Sequence, residues 1–181
     1  MKIILGSIGS IAFVVLAVLG GTQSLADDQK DAMIKDALAA APPTLVDKVT
    51  VVDWDGNVLR EGTGGYTCFP TPAQLQGTAP MCMDGPWMVW ADAWSQKKEL
   101  KNEGIGISYM LAGDEGASNI DPYAEGPTPD NEWIVEGAHI MLVVPDSAML
   151  ESFPTDPNNG GPYVMWKGTP YAHIMIPIGP R

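Results

Sequence analysis

The sequence predicts an α+β fold: an antiparallel sheet of about five to seven strands with two or three packed helices and long Gly/Pro-rich loops. Three observations carry this. Short apolar runs, several of them alternating with polar residues, recur between turn-forming residues, as strands do. Two stretches instead repeat their apolar residues at three-and-four spacing, the period of a helix. The chain of 181 residues also holds 20 Gly and 16 Pro, enough to set many turns and ordered loops between the elements.

The N-terminus has the pattern of a secretory signal. Met1-Lys2 gives a basic start, Ile3 to Leu19 is almost wholly apolar, and Ser24-Leu25-Ala26 supplies the small residues of a cleavage site. Residues 1–26 are therefore expected to be a signal peptide, and 27–181 a single domain in the periplasm or outside the cell. Twenty-two acids against 10 basic residues give a net charge of −12. Such an excess repels phosphate, which disfavours nucleic acid and anionic membrane surfaces. It leaves a small ligand, a metal ion or a basic protein as the expected partner. The two cysteines, Cys68 and Cys82, are expected to form a disulfide in an oxidising compartment. The bridge would close a Pro-rich segment, 69–81, that has no periodicity of its own.

The elements follow in order. Asp28 to Ala41 is expected as a helix, with Asp27 or Asp28 at its N-cap and Pro42-Pro43 ending it. Residues 48–61 form a hairpin around Asp55-Gly56-Asn57. The run Asp53 to Asn57 falls short of a calcium loop, because Val58 and Gly64 stand where an EF-hand needs Gly and Glu. Asp84 to Lys98 is the second helix, capped by Asp84 and opened by Pro86. Its Trp87, Trp90, Ala91 and Trp94 form one stripe, expected to dock on the sheet and otherwise a platform for a ligand. Gly104 to Leu111 is a strand, and Gly113 to Asn131 a loop. Trp133–Val135 and His139–Val144 are strands, paired as a hairpin across Glu136-Gly137-Ala138. A short helix runs from Asp146 to Glu151. Residues 155–162 are a loop, and Tyr163–Lys167 and Tyr171–Ile178 form a hairpin.

The candidate chemistry lies in a repeat. Ala138-His139-Ile140-Met141 and Ala172-His173-Ile174-Met175 hold both histidines of the chain. On a strand, residues i and i+2 share a face, so each His points with its Met. If the two strands are neighbours with matching faces, two imidazoles and two thioethers converge, a soft set suited to copper. Met149 offers a further sulfur. The alternative for each residue is a core position: Met141 and Met175 as fillers, the histidines buried and neutral. From Gly104 to Trp166 there is no Lys or Arg, but there are ten acids. Their loops could hold calcium or a basic ligand, or form a solvated surface with Asx turns at Asp121, Asp130 and Asp156. A small hydrolase or lyase would use His139 or His173 with a carboxylate such as Glu136 or Asp84. The Gly-x-Ser-x-Gly elbow, His-Glu-x-x-His and the P-loop are absent. A structural envelope protein without a small-molecule site is the third class.

His139, Met149 and His173-Ile174-Met175 resemble the order of ligands in cupredoxin-like periplasmic copper chaperones. The resemblance implies metal delivery by those side chains and covers only them; the helices and acidic loops depart from that family. Asp53 to Gly62, Gly126 to Trp133 and Thr155 to Met175 resemble a group of small exported bacterial proteins of uncharacterised function. That resemblance spans most of residues 27–181 and implies export and a single domain, with no activity attached.

Overall fold

The structure, a computed structural model, describes residues 20–101 and 103–181, with side chains from residue 26 onward. The signal peptide expected at 1–26 thus lies mostly outside the described residues. Helix α1 runs Gly20–Ala39, starting upstream of the expected cap at Asp27 or Asp28. It ends where Pro42-Pro43 removes two backbone donors. Helix α2 is Gly85–Ser95. The strands are β1 (Thr50–Val52), β2 (Val58–Arg60), β3 (Tyr66–Phe69), β4 (Met81–Asp84), β5 (Gly106–Met110), β6 (Ala117–Ser118), β7 (Trp133–Ile134), β8 (His139–Val143), β9 (Tyr163–Met165) and β10 (His173–Pro177). Among the described residues no helix is long and apolar enough to cross a membrane.

The fold is α+β, with a mixed eight-stranded sheet in the order β2-β1-β3-β4-β5-β8-β10-β9 and a separate β6–β7 ribbon. Eight strands replace the expected five to seven, and one pair, β1 and β3, is parallel. The cause lies in the link after β2. Gly62 passes so close to the β1 backbone that a Cβ there would sit 2.3 Å from the carbonyl carbon of Val49. Thr63 N and Gly64 N both donate to Lys48 O, at 2.9 and 2.7 Å. Held across the entry to β1, the chain emerges on its far side, and β3 pairs there instead of with β2.

A second departure concerns β7. It pairs with β6, which falls in the stretch expected as loop, and not with β8. Asp114 decides this by fastening Glu136. Asp114 N donates to Glu136 O at 3.0 Å, and Asp114 Oδ1 accepts from Glu136 N at 2.9 Å. The backbone that would have turned a 133–144 hairpin is therefore committed elsewhere. The segment expected as a short helix at 146–151 is a 3-10 turn, Ser147–Leu150, capped by Asp146. The hairpins at 48–61 and 163–178 form as expected.

Both sheet faces are covered. α2 lies on one, burying Trp87, Trp90 and Ala93 against Met83, Met110, Met141, Met175 and Tyr163. On the other face α1 packs through Ala37 over Val51, Cys68 and Cys82. Leu150 of the 3-10 turn packs there over Val164 and Ile174. The α2 seat has two determinants. Asp84 caps the helix by accepting from Trp87 N at 2.9 Å, and its second oxygen accepts from Ile107 N at 2.8 Å, tying the helix start to β5. Gly106 lets the helix touch the sheet, since a Cβ there would meet Trp87 N at 2.6 Å.

Cys68 and Cys82 face each other across β3 and β4, fully buried and bridged. Between these strands, residues 70–80 have no regular structure and are fixed by side chains: Thr71 N donates to Asp36 at 2.6 Å and Thr78 N to Glu115 at 2.7 Å. Closing a loop of this length restricts the unfolded chain by about 3 kcal/mol. A Cys68→Ala/Cys82→Ala variant should lose about that much stability in urea unfolding; an unchanged midpoint would contradict it.

Candidate functional site

Strands β8 and β10 are antiparallel neighbours, with Met175 opposite Met141 and Pro177 opposite His139. By alternation His139, Met141, His173 and Met175 all occupy the α2 face of the sheet. The neighbourhood and shared face that the repeat requires are present. The register nevertheless separates the imidazoles. His139 opens β8, whereas His173 lies four positions before its partner Pro177 on β10. At about 3.3 Å per residue their backbone positions lie roughly 13 Å apart along the ladder, with the methionine pair between them. Met149 is 54% exposed on the 3-10 turn, which packs on the opposite face. The five residues of the expected copper set are therefore not gathered at one point. Among the described residues no group of three or more His, Cys, Asp or Glu is placed to hold a metal ion.

The two histidines serve different surroundings. His173 is buried, its Nδ1–H donating to Tyr171 O at 3.0 Å. Trp87, Trp90 and Trp166 meet it edge-on, with centroids at 5.7, 5.1 and 4.9 Å. Burial among these rings pushes its pKa down to about 4, and the His139 charge adds to that. Trp166 holds a left-handed backbone, φ 58°, a conformation that costs a bulky residue about 1–3 kcal/mol. It is kept there by its Nε1–H, which donates to Ser118 O at 2.7 Å, and by stacking on Trp90 at 5.8 Å.

His139 sits at the edge of a polar cluster. Its Nδ1–H donates to Gly137 O at 2.7 Å, and its Nε2 is buried without a hydrogen-bond partner. Asp114 Oδ2 lies 3.8 Å from that nitrogen, beyond hydrogen-bond reach. Burial holds the Asp114 carboxyl above the usual carboxylate range, against the opposing backbone N–H of Glu136. Glu136 is buried and accepts from Tyr163 OH at 2.8 Å and from Arg181 Nε and Nη2 at 3.0 and 2.6 Å. These bonds raise the Arg181 pKa, while burial and then Glu136 raise that of Tyr163.

Of the carboxylates expected to work with a histidine, Glu136 is thus consumed by Arg181 and Tyr163, and Asp84 by the α2 cap. The acid beside His139 is Asp114, 25 positions upstream, which no sequence spacing singles out. Of this pair the imidazole is fully buried and the Asp114 side chain is 15% exposed. Two of the acidic turns are capped within their own backbone: Asp121 accepts from Tyr123 N at 2.9 Å and Asp156 from Asn158 N at 2.8 Å. At the third expected turn it is Asn131, not Asp130, that accepts from Thr128 N.

The hollow with the composition of a ligand site lies elsewhere, between α2 and the β2–β4 end of the sheet. It encloses about 350 Å³. Trp54, Phe69, Met81, Met83 and Met88 form much of its wall, Trp87, Trp90 and Trp94 its helical side, and Asp92 and Ser95 its few polar positions. Trp87 is 1% and Trp90 5% exposed, so these rings are core, as the docking reading of the stripe expects. The residue that composition did not single out is Trp54. It is 50% exposed, yet fixed: its ring packs at a 30° tilt against Phe69, centroids 4.8 Å apart, and its Nε1–H donates to Pro70 O at 2.7 Å. In the sequence it reads only as part of a hairpin turn.

Compared with known proteins, the chain matches no family model, no curated protein and no solved structure.

Two outcomes test this arrangement. A histidine whose folded pKa is depressed stabilises the fold above its unfolded value and loses that contribution as pH falls through the folded one. Stability should therefore fall from pH 6.5 toward pH 4, by on the order of 3 kcal/mol from His173. Asp114, with its raised pKa, acts in the opposite direction as it protonates. Urea midpoints across this range should flatten in His173→Gln; a wild-type-like slope would contradict the assignment. Separately, Arg181→Ala leaves the Glu136 carboxylate buried without its cation and should cost about 2–3 kcal/mol in the same assay.

Proposed function

We propose that this chain is an exported ligand-binding domain that takes a small, flat, largely apolar molecule in the groove beside α2. The observation that carries the reading is Trp54. A half-exposed indole loses rotamer freedom by packing against Phe69 and being tied to Pro70 O. An ordered aromatic that stays half-exposed is a ready surface for a flat ligand. The groove behind it falls within the volume usual for small-molecule sites, about 300–1,000 Å³, and has the expected apolar lining with few polar groups. Methionines at its base allow it to adapt to shape.

A non-enzymatic role fits the same facts. The groove walls contain Asp92 and Ser95 but no histidine or cysteine, so no imidazole or thiol faces the ligand space. Both imidazoles are in the core. Export is supported by the signal pattern at 1–26 and by the Cys68–Cys82 bridge.

Titration with the neutral fluorophore N-phenyl-1-naphthylamine measures the site directly. Its emission should rise on saturable binding, with quenching of protein fluorescence. Trp54→Ala should weaken it by at least about tenfold with little change in melting temperature. Absence of saturable binding to the wild-type protein, or unchanged affinity in Trp54→Ala, would remove the reading.

A further inference from the structure

Resting on that groove as the binding site, we infer that its ligand class is aromatic or amphiphilic cations, held by the open face of Trp54 with Asp92 at the rim. The charges around the groove all have one sign. Asp92 is the sole ionisable side chain in its wall, and no Lys, Arg or His lines it. Asp53 and Asp55 flank Trp54 in the β1–β2 turn. Hydrogen bonds from the Asn57 side chain and backbone hold the Asp53 carboxyl below its ordinary range, so it stays anionic in mildly acidic surroundings.

The nearest basic residue on α2's C-terminal side is turned away: Lys97 Nζ stands over the Tyr123 ring at 4.4 Å. The chain as a whole carries −12, which concentrates cations at such a mouth.

The wall chemistry narrows the class further. An anion meets the Asp92 carboxylate and no cationic side chain in the wall. A sugar needs several convergent donors and acceptors, and the groove supplies Asp92 and Ser95, with Asp92 already accepting from Gln96 Nε2. A neutral hydrocarbon fits the volume but leaves the rim charge unused. A cation on a flat apolar body uses both features, because an indole face attracts positive charge through its quadrupole while the body packs on Phe69 and the methionines.

The test compares two molecules of one shape, N-methylquinolinium and 1-methylnaphthalene, each displacing N-phenyl-1-naphthylamine at low ionic strength. The cation should bind about tenfold more tightly than its neutral counterpart, with the preference shrinking in 0.5 M salt. Asp92→Asn should weaken the cation about threefold and leave the neutral molecule unchanged. Equal affinity for the two shapes, or a preference untouched by Asp92→Asn and by salt, overturns the cation assignment while leaving the groove as a site. Failure of the fluorophore itself to bind removes the groove reading and this inference together.

Discussion

The carboxylate of Asp84 holds the molecule's working geometry. One oxygen caps α2 at Trp87 N and the other receives the Ile107 amide of β5. A helix can therefore start at the strand's own last residue and lie flat on the sheet that the strand has just joined. Gly106 removes the one Cβ that would lift it away. From this seat Trp87 and Trp90 enter the core, and Trp94 stacks on Trp166 at its rim. His173 is sealed beneath the rings. The outer flank of the same helix, facing Trp54 and Phe69, is left as the groove. Core and candidate site are two sides of one helix placement.

The repeated Ala-His-Ile-Met shows how register decides chemistry. Adjacent strands and a common face do occur for the two copies. An antiparallel ladder, however, runs one copy backwards against the other, so identical tetrapeptides align through Met141 and Met175 and carry their histidines to opposite ends. Parallel strands would have set His beside His. The composition of the strands, apolar and continuous, is the same in either case, which is why the sequence leaves the convergence undecided. Each imidazole then takes its properties from what tertiary contact supplies: an aromatic box for His173, and Asp114 with a buried Glu136–Arg181–Tyr163 network nearby for His139.

A packed, hydrogen-bonded Trp54 in an acidic turn gives the protein an ordered, half-exposed aromatic surface beside an apolar hollow. Both imidazoles are buried in the core, while the hollow is lined by aromatic rings, methionines, Asp92 and Ser95. Under α2 the methionine pair of β8 and β10 packs into the core beside Trp87 and Trp90.

Local signals determined much of this protein. Spacing and capping placed α2 at Asp84 with its tryptophans inward, because a helix start and an apolar stripe are written within a dozen residues. Turn chemistry placed the hairpins at 48–61 and 163–178 for the same reason. The two cysteines and their irregular intervening segment pointed to the bridge. Tertiary structure alone decided the parallel β1–β3 pair, the pairing of β7 with β6, the partner acid of His139, and the exposure of Trp54. Each of these depends on contacts between segments remote in sequence: Gly62 against Val49, Asp114 against Glu136 and His139, Trp54 against Phe69 and Pro70. Periodicity reports which face of an element is apolar, but not which other element will cover it.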